Sequence, residues 1–124
     1  MGDFNILTYN VKGLWQTLKR NTIFKYISEK LNSGIAFFQE THSIVSDVDI
    51  WRKEWDGDMY FSHSWGVAVA FSKDFKGKIL KCDCDEDGRL QVITLKMNDK
   101  HFLIANIYNE NTETKQIIIL KRLN

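Results

Sequence analysis

The chain has 124 residues, of which 44% are hydrophobic, 13% aromatic and 27% charged; this suits one folded domain with one core and argues against disorder. Seventeen basic against 16 acidic residues leave a formal charge of +1, which excludes a globally polybasic binder and confines any nucleic-acid surface to a local patch. No apolar run approaches the roughly 20 residues of a membrane helix, and Met-Gly-Asp-Phe-Asn does not open a signal peptide.

Asp3 to Tyr9 alternates as a strand, with Phe4, Ile6 and Thr8 on one side and Asn5, Leu7 and Tyr9 on the other. It ends at Asn10-Val11-Lys12-Gly13, where Gly13 permits a turn. An amphipathic helix follows over Thr17–Leu31. Ile23, Ile27 and Leu31 fall at i, i+4, i+8 beside Phe24, and Lys19, Arg20, Lys25, Glu29 and Lys30 take the other faces. Asn32-Ser33-Gly34 stops it, with Gly34 as the left-handed cap. Ile35–Gln39 is a buried strand that runs straight into Glu40. The strand–helix–strand unit predicts a parallel crossover, which brings Asn10 and Glu40 to one edge of the sheet. A carboxylate at the mouth of an apolar strand is costly unless a cation, a donor or a proton satisfies it. Taken alone, Glu40 reads better as a strand cap facing water.

Beyond the polar loop 42–49, a short helix spans Val48–Trp55, with Trp51 and Trp55 at i, i+4. Strands at hairpin spacing come next: Met59–Ser62, Gly66–Phe71, Lys78–Cys82, Leu90–Met97 and Phe102–Tyr108. Five in a row predict an antiparallel meander beside the crossover. The segment Glu113 to Leu123 reads as a helix with Ile117, Ile118 and Leu120 on its apolar side.

Several features have plain readings. Cys82 and Cys84 share a strand face, have no disulfide geometry and are too few for structural zinc without histidines. They read as reduced thiols of an intracellular protein, nuclear or cytoplasmic. Asp83-x-Asp85-x-Asp87-Gly88 opens like a calcium loop, but Thr94 stands at the twelfth position and the flanks are strands. An acidic hairpin turn with Gly88 left-handed accounts for it better. Lys73, Lys76, Lys78 and Lys81 read as a solvated edge that discourages strand addition, or as a track for a phosphate backbone.

The ordered set Tyr9-Asn10-Val11-x-Gly13-Leu14, Gln39-Glu40-Thr41-His42, Gly66-Val67-Ala68-Val69, Asp87-Gly88-Arg89 and Asn106-Ile107-Tyr108-x-x-Asn111 resembles the endonuclease/exonuclease/phosphatase (DNase I-like) superfamily. Within it, the likeness is greatest to the apurinic-type endonuclease domain of non-LTR (LINE-like) retrotransposons. Gln-Glu-Thr-His is the most specific piece. The resemblance runs over residues 1–124 but over only the N-terminal half of the family domain.

The resemblance implies an α/β (α+β) fold, part of a two-sheet β-sandwich flanked by helices, here truncated. It implies Mg²⁺, with Mn²⁺ as a substitute, and phosphodiester hydrolysis of DNA. Glu40 matches the metal-ligating glutamate and Asn10 the asparagine beside it, which orients metal and phosphate. Tyr108 matches the tyrosine that hydrogen-bonds the phosphate, and Asn111 the catalytic asparagine after it. His42, Lys12 and Trp15 fall on the nucleic-acid-binding side.

Three departures accompany it. Lys12 stands where some relatives carry Asp or Asn, Glu110 replaces a proline, and the later Asp-x-Asn and Asp-His segments have no counterpart. Without a general base, a loss of several powers of ten in rate is expected. An incomplete sandwich is also expected to leave an apolar face uncovered, to be met by a missing C-terminal half or a homodimer. Two alternatives stay open: a non-catalytic remnant that binds a partner or itself through that face, and a superfamily phosphatase.

Overall fold

The computed structural model describes residues 5–108 and the backbone of 115–122. Strand β1 (Asn5–Asn10) leads through helix α1 (Thr17–Lys30) into β2 (Gly34–Gln39), and the two strands pair in parallel with Asn10 opposite Gln39. A 3₁₀ turn (Val45–Asp47) opens helix α2 (Val48–Trp55). Strands β3 (Met59–Ser62) and β4 (Val67–Phe71) then return to the same sheet, in the order β1-β2-β4-β3. Strands β5 (Lys78–Cys84), β6 (Leu90–Met97), β7 (Lys100–Tyr108) and β8 (Lys115–Arg122) form a second, antiparallel sheet.

The expected five-strand meander is therefore divided. β4 pairs with β2 on one side and β3 on the other, because its Val-Ala-Val-Ala-Phe run is buried on both faces and suits an interior position. Only β5 onward meanders. Within the segment expected as a helix over Glu113–Leu123, the described residues Lys115–Arg122 form strand β8, antiparallel to β7 with Ile119 opposite Ile104. Its β-branched isoleucines are stiff at χ1 and suit a pleated surface, and the edge of β7 offers a ready ladder.

Alternation along the strands builds two cores. One face of the first sheet (Ala36, Phe38, Ala68, Ala70, Met59) packs under Phe24, Ile27, Trp51 and Trp55 of the helices. The other face (Ile35, Phe37, Val69, Phe71) packs on Ile93, Leu95, Met97 and Ile104 of the second sheet. β2 is buried at all six positions because it serves both cores. The inter-sheet faces thus cover one another. The apolar face left without a helix among the described residues is the outer side of the second sheet, where Val92, Leu103, Ala105 and Ile107 alternate with the core residues.

Two local expectations change. Arg20, placed with the polar faces of the helix, is 5% exposed. Its guanidinium donates to Glu54 at 2.6 and 2.9 Å and to the carbonyls of Leu14 (3.0 Å) and Trp15 (3.3 Å), above the Trp51 ring. A buried cation survives when its donors are met in this way. The left-handed residue after α1 is Ser33, at φ 50°, while Gly34 opens β2.

Candidate active site

Parallel pairing carries the ends of β1 and β2 to one rim of the sandwich. Past Gln39 the chain turns through Glu40 (φ 61°) and His42 (φ 56°), and past Asn10 through Lys12 (φ 53°). A left-handed conformation costs a non-glycine residue roughly 1–2 kcal/mol, and such strain gathers where surrounding bonds over-determine the backbone. Those bonds are present. The amides of Val11, Gly13 and Leu14 donate in turn to the carbonyls of Gln39 (3.0 Å), Glu40 (2.6 Å) and Thr41 (3.1 Å). On the other flank Thr41 N–H donates to Gly66 O (3.0 Å) and His42 N–H to Trp65 O (3.2 Å). Gly66 lies at φ 92°, and a Cβ there would run into Thr41 Oγ1, so glycine is what lets these loops close together.

The turn alternates. Thr41 and Ser43 are fully buried, and Ser43 Oγ lies 2.7 Å from His63 Nδ1. Glu40 and His42 face outward, their side chains 24% and 33% exposed, with Glu40 Oε1 3.6 Å from His42 Nε2. Asn10 Oδ1 accepts the Lys12 N–H at 3.1 Å. Lys12 is exposed and its carbonyl accepts from Lys19 Nζ (3.2 Å). Trp15, 69% exposed, lays its indole across Gly13.

Tyr108 belongs to the second sheet, and a buried polar bridge fixes it at the same rim. Gln39 Nε2 donates to Thr8 Oγ1 (2.9 Å) and Asn106 Oδ1 (3.1 Å). Asn106 Nδ2 donates to Ala68 O (3.2 Å) and Gln91 Oε1 (3.3 Å), and Gln91 Nε2 to Tyr60 O (2.9 Å). The amide just before Glu40 thus meets the amide two residues before Tyr108. Gln39, Gln91 and Asn106 are each 0% exposed. Gln39 Oε1 is left without a hydrogen-bond partner there. Tyr108 N–H donates to Arg89 O at 2.8 Å. Asn111 and Glu110 lie outside the described residues.

The rim therefore brings together Asn10, Lys12, Trp15, Glu40 and His42, with Tyr108 on the facing sheet. Sequence reasoning did not single out Gln39, Gln91 and Asn106 as a bridge. The available signal was an amide in each of three otherwise apolar strands. It also did not single out Trp65, nor its pairing with Arg89, which stood only in the Asp87-Gly88-Arg89 motif. Trp65 packs against His42 (ring centroids 5.8 Å), and the Arg89 guanidinium lies 6.0 Å from the Trp65 ring.

The other clusters are structural. Asp85 Oδ1 accepts the N–H groups of Arg89 and Leu90 and the Ser62 hydroxyl, each at 3.1 Å, so this carboxylate closes an acidic turn; Gly88 is left-handed at φ 75°. Lys73 pairs with Asp56 (2.9 Å) and Lys81 with Asp83 (3.5 Å), as a solvated edge would. Both cysteines are free, and burial, followed by Cys84 and Asp83, pushes the Cys82 thiol up to about 11.

Among the described residues no three His, Cys, Asp or Glu side chains gather into a metal cluster, which excludes a closed zinc-type cage there. What the rim offers is one carboxylate, Glu40, and one amide oxygen, Asn10 Oδ1, with a lone pair beyond the one Lys12 occupies. A lean set of hard oxygens fits Mg²⁺, which keeps several waters and takes its remaining ligands from substrate phosphate. Among the described residues no helix is long and apolar enough to cross a membrane.

Two packed sheets with helices on one outer face and candidate residues at one rim define a DNase I-like α+β fold. No protein-family profile matches the chain. Among solved structures it is similar to a humanized D. rerio TDP2 carrying 14 mutations, with a TM-score of 0.50 and 16% identity over 94% of this chain and 48% of that one. The chain thus spans about half the length of that protein, and at this identity the likeness speaks for the fold.

Proposed function

We propose that the Glu40 rim is the metal- and phosphate-binding half of a Mg²⁺-dependent site that hydrolyses phosphodiesters in DNA, in the manner of a retrotransposon-type endonuclease domain. The observation that supports it is the meeting of Glu40 and Asn10 at adjacent strand ends, with Gln39 and Asn106 bridging to the strand that ends in Tyr108. Glu40 and Asn10 would hold the ion, which when bound neutralises charge growing on the phosphoryl oxygens. The Tyr108 hydroxyl donates to the phosphate, and Lys12, exposed beside Asn10, takes a backbone phosphate. His42, whose Nε2 lies 3.6 Å from Glu40 Oε1, stands directly beside the proposed ion ligand.

Calorimetric titration of Mg²⁺ into wild type, Glu40→Gln and Lys12→Asn tests the reading. Wild type binds, Lys12→Asn binds more tightly as a repelling cation leaves, and Glu40→Gln loses at least tenfold. Equal binding by wild type and Glu40→Gln contradicts it.

A second reading rests on the outer face of the second sheet, where partly exposed Val92, Leu103, Ala105 and Ile107 lie uncovered by a helix among the described residues. An apolar face of that kind is an association surface, and the rest of a complete domain or a second copy would cover it. A monodisperse monomer by light scattering that does not enhance an apolar dye counts against it.

A further inference from the structure

Three rings follow one another along the rim beside Glu40. Trp15 meets His42 edge-on with centroids 5.9 Å apart, and His42 meets Trp65 at 5.8 Å. The Arg89 guanidinium closes the row 6.0 Å from the Trp65 ring. Trp15 is 69% and Trp65 38% exposed, whereas Trp51 and Trp55 are 1% and 4% exposed. Apolar rings in water are costly without a partner, and these are held ready for one. Arg20 secures the Trp15 carbonyl from below, and Trp65 is fixed through its N–H to Asp87 O (3.2 Å) and its carbonyl to His42 N–H. A backbone fixed beneath the rings lowers the ordering cost that binding would otherwise carry.

A duplex presents phosphates and groove edges; its base faces are already stacked on one another. Flat aromatic faces flanked by cations instead match unpaired bases, each of which has a π-face to offer. Lys12 and Lys19 at the Trp15 end and Arg89 at the Trp65 end set positive charge along the same line. Resting on the proposed phosphodiesterase reading, we infer that the Trp15–His42–Trp65–Arg89 row is a stacking platform for unpaired nucleotides, so that the site takes single-stranded DNA or a frayed strand rather than intact duplex.

The test is tryptophan fluorescence, without Mg²⁺ so that no turnover enters, with three probes of equal length: (dT)₁₅, the same strand as duplex, and a 15-unit abasic sugar-phosphate strand. The expected result is quenching by (dT)₁₅ and affinity for it above that for both other probes. Trp15→Ala and Trp65→Ala should each weaken (dT)₁₅ roughly 5- to 150-fold, the range of one lost base stack. Trp65→Phe keeps a ring, retains most of the affinity and shows that loss in Trp65→Ala is not unfolding. Equal or tighter binding of the duplex, equal binding of the abasic strand, or tryptophan variants that bind as wild type each overturn the platform. So does tighter binding of (rU)₁₅, which would make RNA the partner. Wild type alone separates the two proposals: quenching by (dT)₁₅ is read without Mg²⁺ and Mg²⁺ binding by calorimetry without DNA, so either can fail while the other holds.

Discussion

Asn106 is the residue on which the geometry of the rim turns most. It has 0% exposure and joins Gln39, Gln91 and the carbonyl of Ala68 across two sheets. Replacing it by leucine leaves several buried partners unmet, at about 1–3 kcal/mol for each group that cannot find water. Asn106→Leu is expected to lower stability by about 3 kcal/mol or more in urea unfolding; a loss under 1 kcal/mol would show the bridge to be idle. The cysteines give a second expectation at this scale. Cys84 is exposed, whereas Cys82 is partly buried and its thiol is held up to about 11. Since the thiolate is the reactive form, Ellman's reagent near pH 8 should label one thiol quickly and the second only on unfolding. Cys84→Ser should remove the fast phase.

At the scale of elements, the lock between α1 and α2 is the Arg20–Glu54 pair, with side chains 6% and 18% exposed. The hydrogen bond from Arg20 holds the Glu54 carboxyl below its ordinary value of 4.5, against desolvation that raises it. A depressed folded value means the pair's contribution is complete above about pH 4.5 and is lost as the pH falls through the lower folded value. Wild type should therefore lose stability on acidification below pH 4.5 more steeply than Glu54→Gln, as followed by thermal melts across pH 3–7. Parallel slopes would contradict this. Gly66 makes the matching claim for the loops. Gly66→Ala must hold φ 92° and push Thr41 aside, which should cost about 2 kcal/mol and loosen the turn that carries Glu40. An unchanged urea midpoint would count against the close approach described.

Much at this scale could be read from the chain. Helix α2 and strands β3 and β6 fall where periodicity and turn residues place them, because Trp51/Trp55 spacing and alternating Val-Ile-Thr-Leu runs are local signals. The parallel pairing that unites Asn10 and Glu40 followed from the strand–helix–strand order. Arg20 was misplaced because its burial depends on Glu54, 34 residues away, and on two carbonyls that no helical wheel contains. β8 was misread because an isoleucine run has no period of its own, and only the edge of β7 decides it. Trp65 stayed unremarked, and Arg89 stood only within its motif, for the same reason: they meet only when the turns at 41–43, 64–66 and 87–89 are stacked.

For the whole molecule, one sandwich carries two kinds of surface. The rim gathers a carboxylate, amides, lysines and rings; the outer face of the second sheet gathers partly exposed aliphatic side chains. The chain spans 48% of the TDP2 structure whose fold it shares. If Glu40 and Asn10 hold an ion that also draws in a DNA phosphate, as we propose, binding linkage reports it. A short DNA strand is titrated against wild type and Glu40→Gln at fixed ionic strength, with and without Mg²⁺. Added Mg²⁺ ordinarily weakens binding to DNA, because it competes for the phosphates. The account predicts the opposite sign for wild type, an affinity at least about fivefold higher with Mg²⁺, and the ordinary weakening for Glu40→Gln. Weakening of both proteins alike would contradict it.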